Sequence, residues 1–261
     1  MIDIHSHALY ECDDGSTSIE QSLEMIRTAS DNGVTDIFFT PHYMEDGYKN
    51  DREVIYQKID SLKQKLATEN INVNLHCGEE VFIFPRVDEE LDEKIICLNN
   101  SRYVLIELPL IENVNYLADV VYNLLSKGKV PIIAHPERYF VVEKNISFVE
   151  ELIDKGALIQ INANSLVGRY GKEAEKLAIK LLKRNMVHFV ASDAHSVHGY
   201  RLLSESMERL KELVDEDKFN EITRENQMKI ILDQEIDAKD YIKAQNTKFF
   251  WLPFLSRKGA K

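Results

Sequence analysis

Seven times along the chain a short apolar run ends in residues able to bind metal or phosphate, and this recurrence limits the available folds more than any single motif. Ile2-Asp3-Ile4 runs into His5-Ser6-His7, Asp36-Ile37-Phe38-Phe39-Thr40-Pro41 into His42, and Val73-Asn74-Leu75 into Glu79-Glu80. Tyr103-Val104-Leu105-Ile106 ends at Glu107 and Val130-Pro131-Ile132-Ile133-Ala134 at His135. Leu158-Ile159-Gln160-Ile161 ends at Asn162 and Asn164, and Phe189-Val190-Ala191-Ser192 at Asp193-Ala194-His195. Continuous Val/Ile/Leu runs read as strands buried on both faces. Functional groups gathered at one end of successive parallel strands are how a barrel-type site looks from sequence.

The segments between the runs are long enough for helices. Ser18 followed by Gln21 fits a capping box, and Ile19, Leu23, Ile26 and Ala29 then keep an apolar stripe that stops at Gly33. Residues 51–68 repeat the pattern through Val54, Ile55, Ile59, Leu62 and Leu66. Further helices are expected around 87–96, 114–127, 146–155, 171–185 and 202–214, with a short helical region near 217–232. Parallel strands need such crossovers, so an α/β barrel of seven βα units is preferred to a sandwich. No Pro/Gly/Ser-rich linker divides the 261 residues, so one barrel domain is expected over 1–245, followed by an aromatic and basic tail over 246–261.

A net charge of −12 argues against a nucleic-acid surface, because phosphate backbones are held by clustered Lys and Arg. It leaves room for an anion at a local positive site. Asp14, Glu80, Glu107 and Asp193 carry four negative charges, and three divalent cations held by them and by neutral histidines would leave about +2. The three cysteines, Cys12, Cys77 and Cys97, have unrelated spacings and suggest neither a disulfide framework nor a thiolate zinc site. With no 18-residue apolar stretch and no signal-peptide pattern, a cytoplasmic protein is expected. Residues 248–255 hold the only Trp and three Phe and precede a basic stretch; this run could meet the inner face of the membrane, a partner chain or the barrel itself.

His5 and His7, two residues apart at a strand end, place both imidazoles on one side, where both can reach one ion. Five of the eight histidines sit at strand ends beside carboxylates. Nitrogen and oxygen ligands without thiolate suit manganese, iron or zinc, and the constellation reads as a metal-dependent hydrolase. His76 and His188 lie inside apolar strand patterns and read as structural, while His198 either lines the pocket or is exposed.

Asp3-Ile4-His5-Ser6-His7 with Asp13-Asp14-Gly15, then Thr40-Pro41-His42, Gly78-Glu79-Glu80, Leu105-Ile106-Glu107, Ala134-His135-Pro136-Glu137-Arg138-Tyr139 and Ser192-Asp193-Ala194-His195 together resemble the polymerase and histidinol phosphatase (PHP) superfamily. Within it the chain is similar to the bacterial protein-tyrosine phosphatases encoded with capsular and exopolysaccharide machinery, over residues 1 to about 236 and in the same order. The resemblance implies a distorted (β/α)7 barrel, TIM-like and of the PHP type, with three divalent ions, usually manganese. By the family pattern His5, His7, Glu80 and Asp193 hold one ion, Glu80 also reaches a second held with Glu107 and His135, and Asp14, His42 and His195 hold the third. Glu79 competes with Glu80, and the preceding Gly78 makes Glu80 the better match.

The same resemblance implies hydrolysis of phosphotyrosine on the tyrosine kinase of the polysaccharide system, by a hydroxide shared between two ions. Arg138, three residues after His135, would be a fork-shaped phosphate clamp, and Arg201 is the second candidate, one residue later after His195 than the family spacing. None of the cysteines has Arg at the sixth following position, so the thiol-based mechanism is not expected. Two other readings stay open. One is a phosphatase of the same kind acting on histidinol phosphate, a nucleotide or a sugar phosphate; the other is a non-catalytic module that binds the kinase.

Overall fold

Alternation along the strands decides what faces the middle of the molecule. The computed structural model describes residues 1–91, 93–112, 114–238 and 241. The tail over 246–261, its aromatic run 248–255 and the boundary after residue 245 lie outside the described residues. Nine strand segments occur among the described residues: β1 (Ile2–Asp3), β2 (Asp36–Phe39), β3 (His42–Tyr43), β4 (Asn74–Cys77), β5 (Glu80–Phe82), β6 (Tyr103–Glu107), β7 (Val130–Ala134), β8 (Leu158–Asn162) and β9 (Phe189–Ala191).

All pairings between them are parallel, in the orders β1-β2-β4 and β3-β5-β6-β7-β8-β9. β2 and β3 are halves of one strand position parted at Thr40-Pro41, and β4 and β5 are halves of another parted at Gly78-Glu79. Pro41 lacks the N–H that a continuous ladder would use. A parallel bridge between Ser6 and Ala194 joins the continuations of β1 and β9, with His7 N donating to Ala194 O at 3.0 Å and Asp193 N to His5 O at 2.9 Å. The seven strand positions thereby close into a distorted (β/α)7 barrel.

The interior cluster takes alternate residues: Ile2 and Ile4, Phe38, Tyr103 and Leu105, Ile132 and Ala134, Leu158, Phe189 and Ala191. Their neighbours Ile37, Phe39, Val104, Ile106, Ile133, Ile159, Ile161 and Val190 pack outward against the helices. Continuing the inward parity gives Glu107 after Leu105, Gln160 and Asn162 after Leu158, and Asp193 after Ala191. The barrel is thus apolar at its amino-terminal end and polar at the carboxyl ends of its strands.

Most helices follow their apolar stripes, as in Ile19–Asp31, Arg52–Glu69, Leu117–Ser126, Lys172–Lys183 and Leu203–Leu213. Ser18 Oγ accepts from Gln21 N at 3.2 Å, but Gln21 Oε1 accepts from Thr17 N at 2.8 Å, so the return arm of the capping box lands one residue early. The helix expected over 87–96 is a single turn, Val87–Glu90, because the chain then folds back to bury Leu91, Ile95 and Ile96. The region after β7 holds two helices, Phe140–Lys144 and Ser147–Asp154, and an unexpected short helix, Val197–Arg201, follows β9. Helical turns over 216–231 carry Ile230 into the interior cluster and close the amino-terminal end of the barrel. Among the described residues, no helix is long and apolar enough to cross a membrane.

Candidate functional site

The strand ends converge on two facing imidazoles. His5 Nδ1 lies 3.0 Å from Gln160 Oε1, and His7 Nδ1 lies 2.6 Å from Asp13 Oδ2. Each acceptor fixes its ring with the proton on Nδ1, so the Nε2 atoms turn their lone pairs toward each other across 3.2 Å. Two lone pairs so placed repel unless a cation or a proton lies beside them. Glu80 Oε1 stands 3.3 Å from His5 Nε2 and 3.0 Å from His135 Nε2, while its Oε2 stands 3.3 Å from His7 Nε2 and 3.1 Å from His42 Nδ1. Asp193 Oδ1 is 3.4 Å from the Nε2 atoms of both His5 and His7, and Asp14 Oδ1 is 3.5 Å from His195 Nε2 and 3.6 Å from His42 Nε2. Glu107 reaches His135 and His42 at 3.8 Å.

Four groups have ligand-type atoms within 4.8 Å of one another: His7, Asp14, His42 and His195; His5, His7 and Asp193; His5, Glu80 and His135; His42, Glu80 and Glu107. Every residue expected as a metal ligand falls in at least one of them. The grouping overlaps more than the family division, since His7 also meets the Asp14 group and His42 also meets Glu80 and Glu107. His42 Nδ1 and Asp193 Oδ1, both facing the cluster, are buried yet make no hydrogen bond of good geometry. Buried polar atoms left without partners are costly, so these orphans, together with the facing imidazole nitrogens, suit residues that share divalent cations.

Charge balance without a cation points the same way. Burial works against a charged His5, yet Glu80 and Asp193 outweigh it and raise its pKa to about 9. Burial and the nearby carboxylates of Glu80 and Asp193 push Glu107 up to about 8. Despite burial, His5 and His135 hold Glu80 well below the usual carboxylate range. Imidazoles and carboxylates packed this closely call for positive charge among them, which divalent metal would supply.

The backbone is set for this convergence. His135 (φ +34°) and Asp193 (φ +50°) both adopt the left-handed region at the ends of β7 and β9, a conformation that costs a non-glycine residue about 1–3 kcal/mol. Gly15 is needed because a Cβ there would stand 2.0 Å from His7 O. Gly15 N and His42 N both donate to the Asp13 carboxylate at 2.9 Å, which ties the Asp14 loop, His7 and His42 to one anchor. On the opposite side Gln160 Nε2 donates to Asn162 Oδ1 at 2.9 Å and Asn162 Nδ2 to Asp193 Oδ2 at 2.6 Å. Sequence reasoning assigned no role to Asp13 or Gln160. Strand parity could have found Gln160, whereas nothing in the spacing marks Asp13.

Arg138 Nη1 donates to Asp193 Oδ2 at 3.0 Å, and its guanidinium lies 4.5 Å over the Tyr170 ring. The structure does not bring Arg201 to this cluster. Its side chain is 66% exposed and faces Glu24 at 3.5 Å, because Val197–Arg201 packs against Ile19–Asp31 and that helical phase turns residue 201 outward. His198 is exposed as well. Glu79 points the other way, accepting from Ile96 N at 2.7 Å, with burial pushing its pKa up to about 8. Glu80 is therefore the carboxylate that joins the histidines. His76 pairs with Asp36 at 3.0 Å on the barrel's other end, and His188 Nδ1 accepts from Ile159 N at 3.0 Å; both are structural.

A cavity of about 270 Å³ opens over the cluster, with Asp14, His42, Glu80, Glu107, His135, Asp193 and His195 at its floor, Arg138 at one side, and Met44, Tyr48 and Phe82 on the remaining wall. The three cysteines are buried and none lines it, and burial raises the Cys12 thiol to about 11.

Fold and site together define a class: parallel α/β barrels whose strand ends present a cluster of imidazoles and carboxylates suited to divalent metals. The sequence model of the family described as "Capsular polysaccharide synthesis, CpsB/CapC" matches residues 1–232. The chain belongs to the CpsB/CapC family. It is 41% identical over 198 residues to CapC of Staphylococcus aureus (76% of this chain, 78% of CapC) and 38% identical over 198 residues to tyrosine-protein phosphatase YwqE of Bacillus subtilis (76% and 78%). Among solved structures it resembles, at TM-score 0.88 and 33% identity, a chain from the crystal structures of YwqE and of CpsB from Streptococcus pneumoniae, described as metal-dependent tyrosine phosphatases; 94% of this chain and 100% of that one are covered.

Proposed function

We propose that this chain is a metal-dependent protein-tyrosine phosphatase that removes phosphate from tyrosines of the kinase controlling capsular or exopolysaccharide synthesis. The observation that carries the reading is the assembly, at one cavity, of a buried imidazole-carboxylate cluster, an arginine and an aromatic wall. His5, His7, Glu80 and Asp193 would hold one ion, Glu80, Glu107 and His135 a second, and Asp14, His42 and His195 a third, with manganese favoured over iron or zinc. Bound divalent ions supply charge neutralisation for the phosphate and an acidified water.

The protein's own groups do the rest. Arg138 spends one donor on Asp193 and keeps others of its five for phosphate oxygens in the cavity. Tyr170 beneath the guanidinium and Asp193 beside it hold the fork in place. Met44, Tyr48 and Phe82 offer an apolar wall to an aromatic ring attached to the phosphate. Phenol leaves with a pKa near 10, so expelling tyrosinate needs no strong general acid, and aryl phosphates should react faster than alkyl ones. The reading includes a cytoplasmic location and assigns residues 248–255 to association or localisation rather than chemistry.

The test compares kcat/KM, with manganese present, for a phosphotyrosine peptide and for histidinol phosphate, a nucleoside monophosphate and a sugar phosphate. Phosphotyrosine should be preferred by well over about tenfold, as expected of a substrate-specific pocket. A small alkyl phosphate turned over faster than the peptide would overturn the assignment.

A further inference from the structure

Beside the cavity runs a groove of about 400 Å³, and Arg138 lines both. Its walls are Leu110 and Ile111 after β6, Phe140, and Tyr170 with Leu177. Ile111 is 80% exposed and Phe140 47%, which is unusual for large apolar side chains gathered in one place. The groove is built rather than accidental. Phe140 N donates to Leu110 O at 2.8 Å, tying its two rims together, and Tyr170 forms its floor while stacking under Arg138. Glu143 and Glu173, at its edge, pair with Lys144 at 2.9 Å and Lys176 at 2.6 Å. Lys144 also lies 4.6 Å over one face of the Phe140 ring, and Glu137 in the lining is buried. An occupant therefore meets Leu110, Ile111 and the remaining surface of Phe140 among charges that are already paired.

We propose that this groove binds the peptide flanking the phosphotyrosine, receiving an apolar side chain against Ile111 and Phe140. The inference rests on the phosphatase reading above. Continuity selects the occupant: the arginine that faces the phosphate in the cavity also forms the wall of the groove, so a chain leaving the cavity meets the apolar rim within a few residues, each extending it by roughly 3.3 Å. Small aryl phosphates would fill the cavity and never reach the groove. Specificity for a protein substrate then comes from the groove, and chemistry from the cavity.

The test uses the full chain carrying Ile111→Ser with Phe140→Ala, two exposed positions outside the cavity. Substrates are p-nitrophenyl phosphate and a phosphotyrosine peptide with leucines beside the tyrosine, each assayed with manganese. KM for the peptide should rise by about fivefold or more with kcat little changed, while p-nitrophenyl phosphate stays within about twofold, the signature of lost uniform binding. Unchanged peptide KM overturns the proposal, and so does a parallel loss on both substrates, which would make these residues supports of the cavity. If truncation after Gln245 improves peptide KM and the double substitution reproduces that gain, the chain's own tail is the occupant and the proposal fails. Absence of wild-type turnover on p-nitrophenyl phosphate would instead sink the phosphatase reading, and the groove assignment with it.

Discussion

At the scale of residues, the site turns on two imidazoles whose Nε2 atoms meet at 3.2 Å, each ring held through its Nδ1 by an oxygen of Gln160 or Asp13. Glu80 is the carboxylate most widely shared, lying near His5, His7, His42 and His135. Glu80→Ala should reduce turnover far below about a tenth of wild type with an unchanged circular-dichroism spectrum, since supporting residues alone commonly cost 10–100-fold. Asp13→Ala should fall in that milder range and recover with excess manganese, because Asp13 orients His7 without facing the cavity. Metal titrations of both variants, followed by activity at saturation, separate the two roles; full activity of Glu80→Ala would refute the ligand assignment. The sequence made most candidate ligands legible because they stand where an apolar run ends; Asp14, in the loop after His7, came only from the family motif. It could not show Asp13 beneath His7, or that Arg201 turns toward Glu24, because both depend on where a loop and a helix dock.

Elements were legible where burial is two-sided and periodic, so the apolar runs became strands and the long amphipathic stripes became helices. The splits at Thr40-Pro41 and Gly78-Glu79 were not, because they fall where the apolar runs end and the two- and three-residue segments beyond, His42–Tyr43 and Glu80–Phe82, are too short to carry a periodic pattern. Nor was the brevity of Val87–Glu90, whose apolar continuation is buried as irregular chain rather than as a helix face. His188, entering β9, makes a testable joint between elements: Nδ1 accepts from Ile159 N and Nε2 meets Ala238 O at 3.3 Å, an arrangement made for a neutral ring. Burial lowers its pKa from 6.5 to about 4. Between those values the unfolded chain binds the proton and the folded one does not, so the contribution of His188 is full above pH 6.5 and is lost as pH falls toward 4. The loss is on the order of 3 kcal/mol. Urea unfolding at pH 7 and pH 4.5 should show the stability gap between wild type and His188→Gln shrinking by roughly that amount; a gap independent of pH would contradict the neutral, buried assignment.

For the whole molecule, the alternation of strand and helix announced a barrel, and its closure depends on contacts no local pattern encodes. Ser6 and Ala194 bridge residues near the two ends of the barrel sequence, and Asp193 N meets His5 O across the same seam. Closing the ring there is what brings Asp193 and His195 onto His5 and His7, so fold and site are completed by one junction. The acidic chain, with net charge −12, can still receive a phosphate because divalent ions held by these carboxylates and histidines, with Arg138 beside them, would leave the site locally positive. The central claim is that this cluster works through divalent metal and not through a thiol. Its most direct test is phosphotyrosine-peptide turnover by one preparation after chelation, after return of manganese, and after iodoacetamide treatment of the metal-loaded protein. Activity should be lost, restored and then unaffected; activity that survives complete metal removal, or that iodoacetamide destroys while metal and fold remain, would contradict a metal-based mechanism.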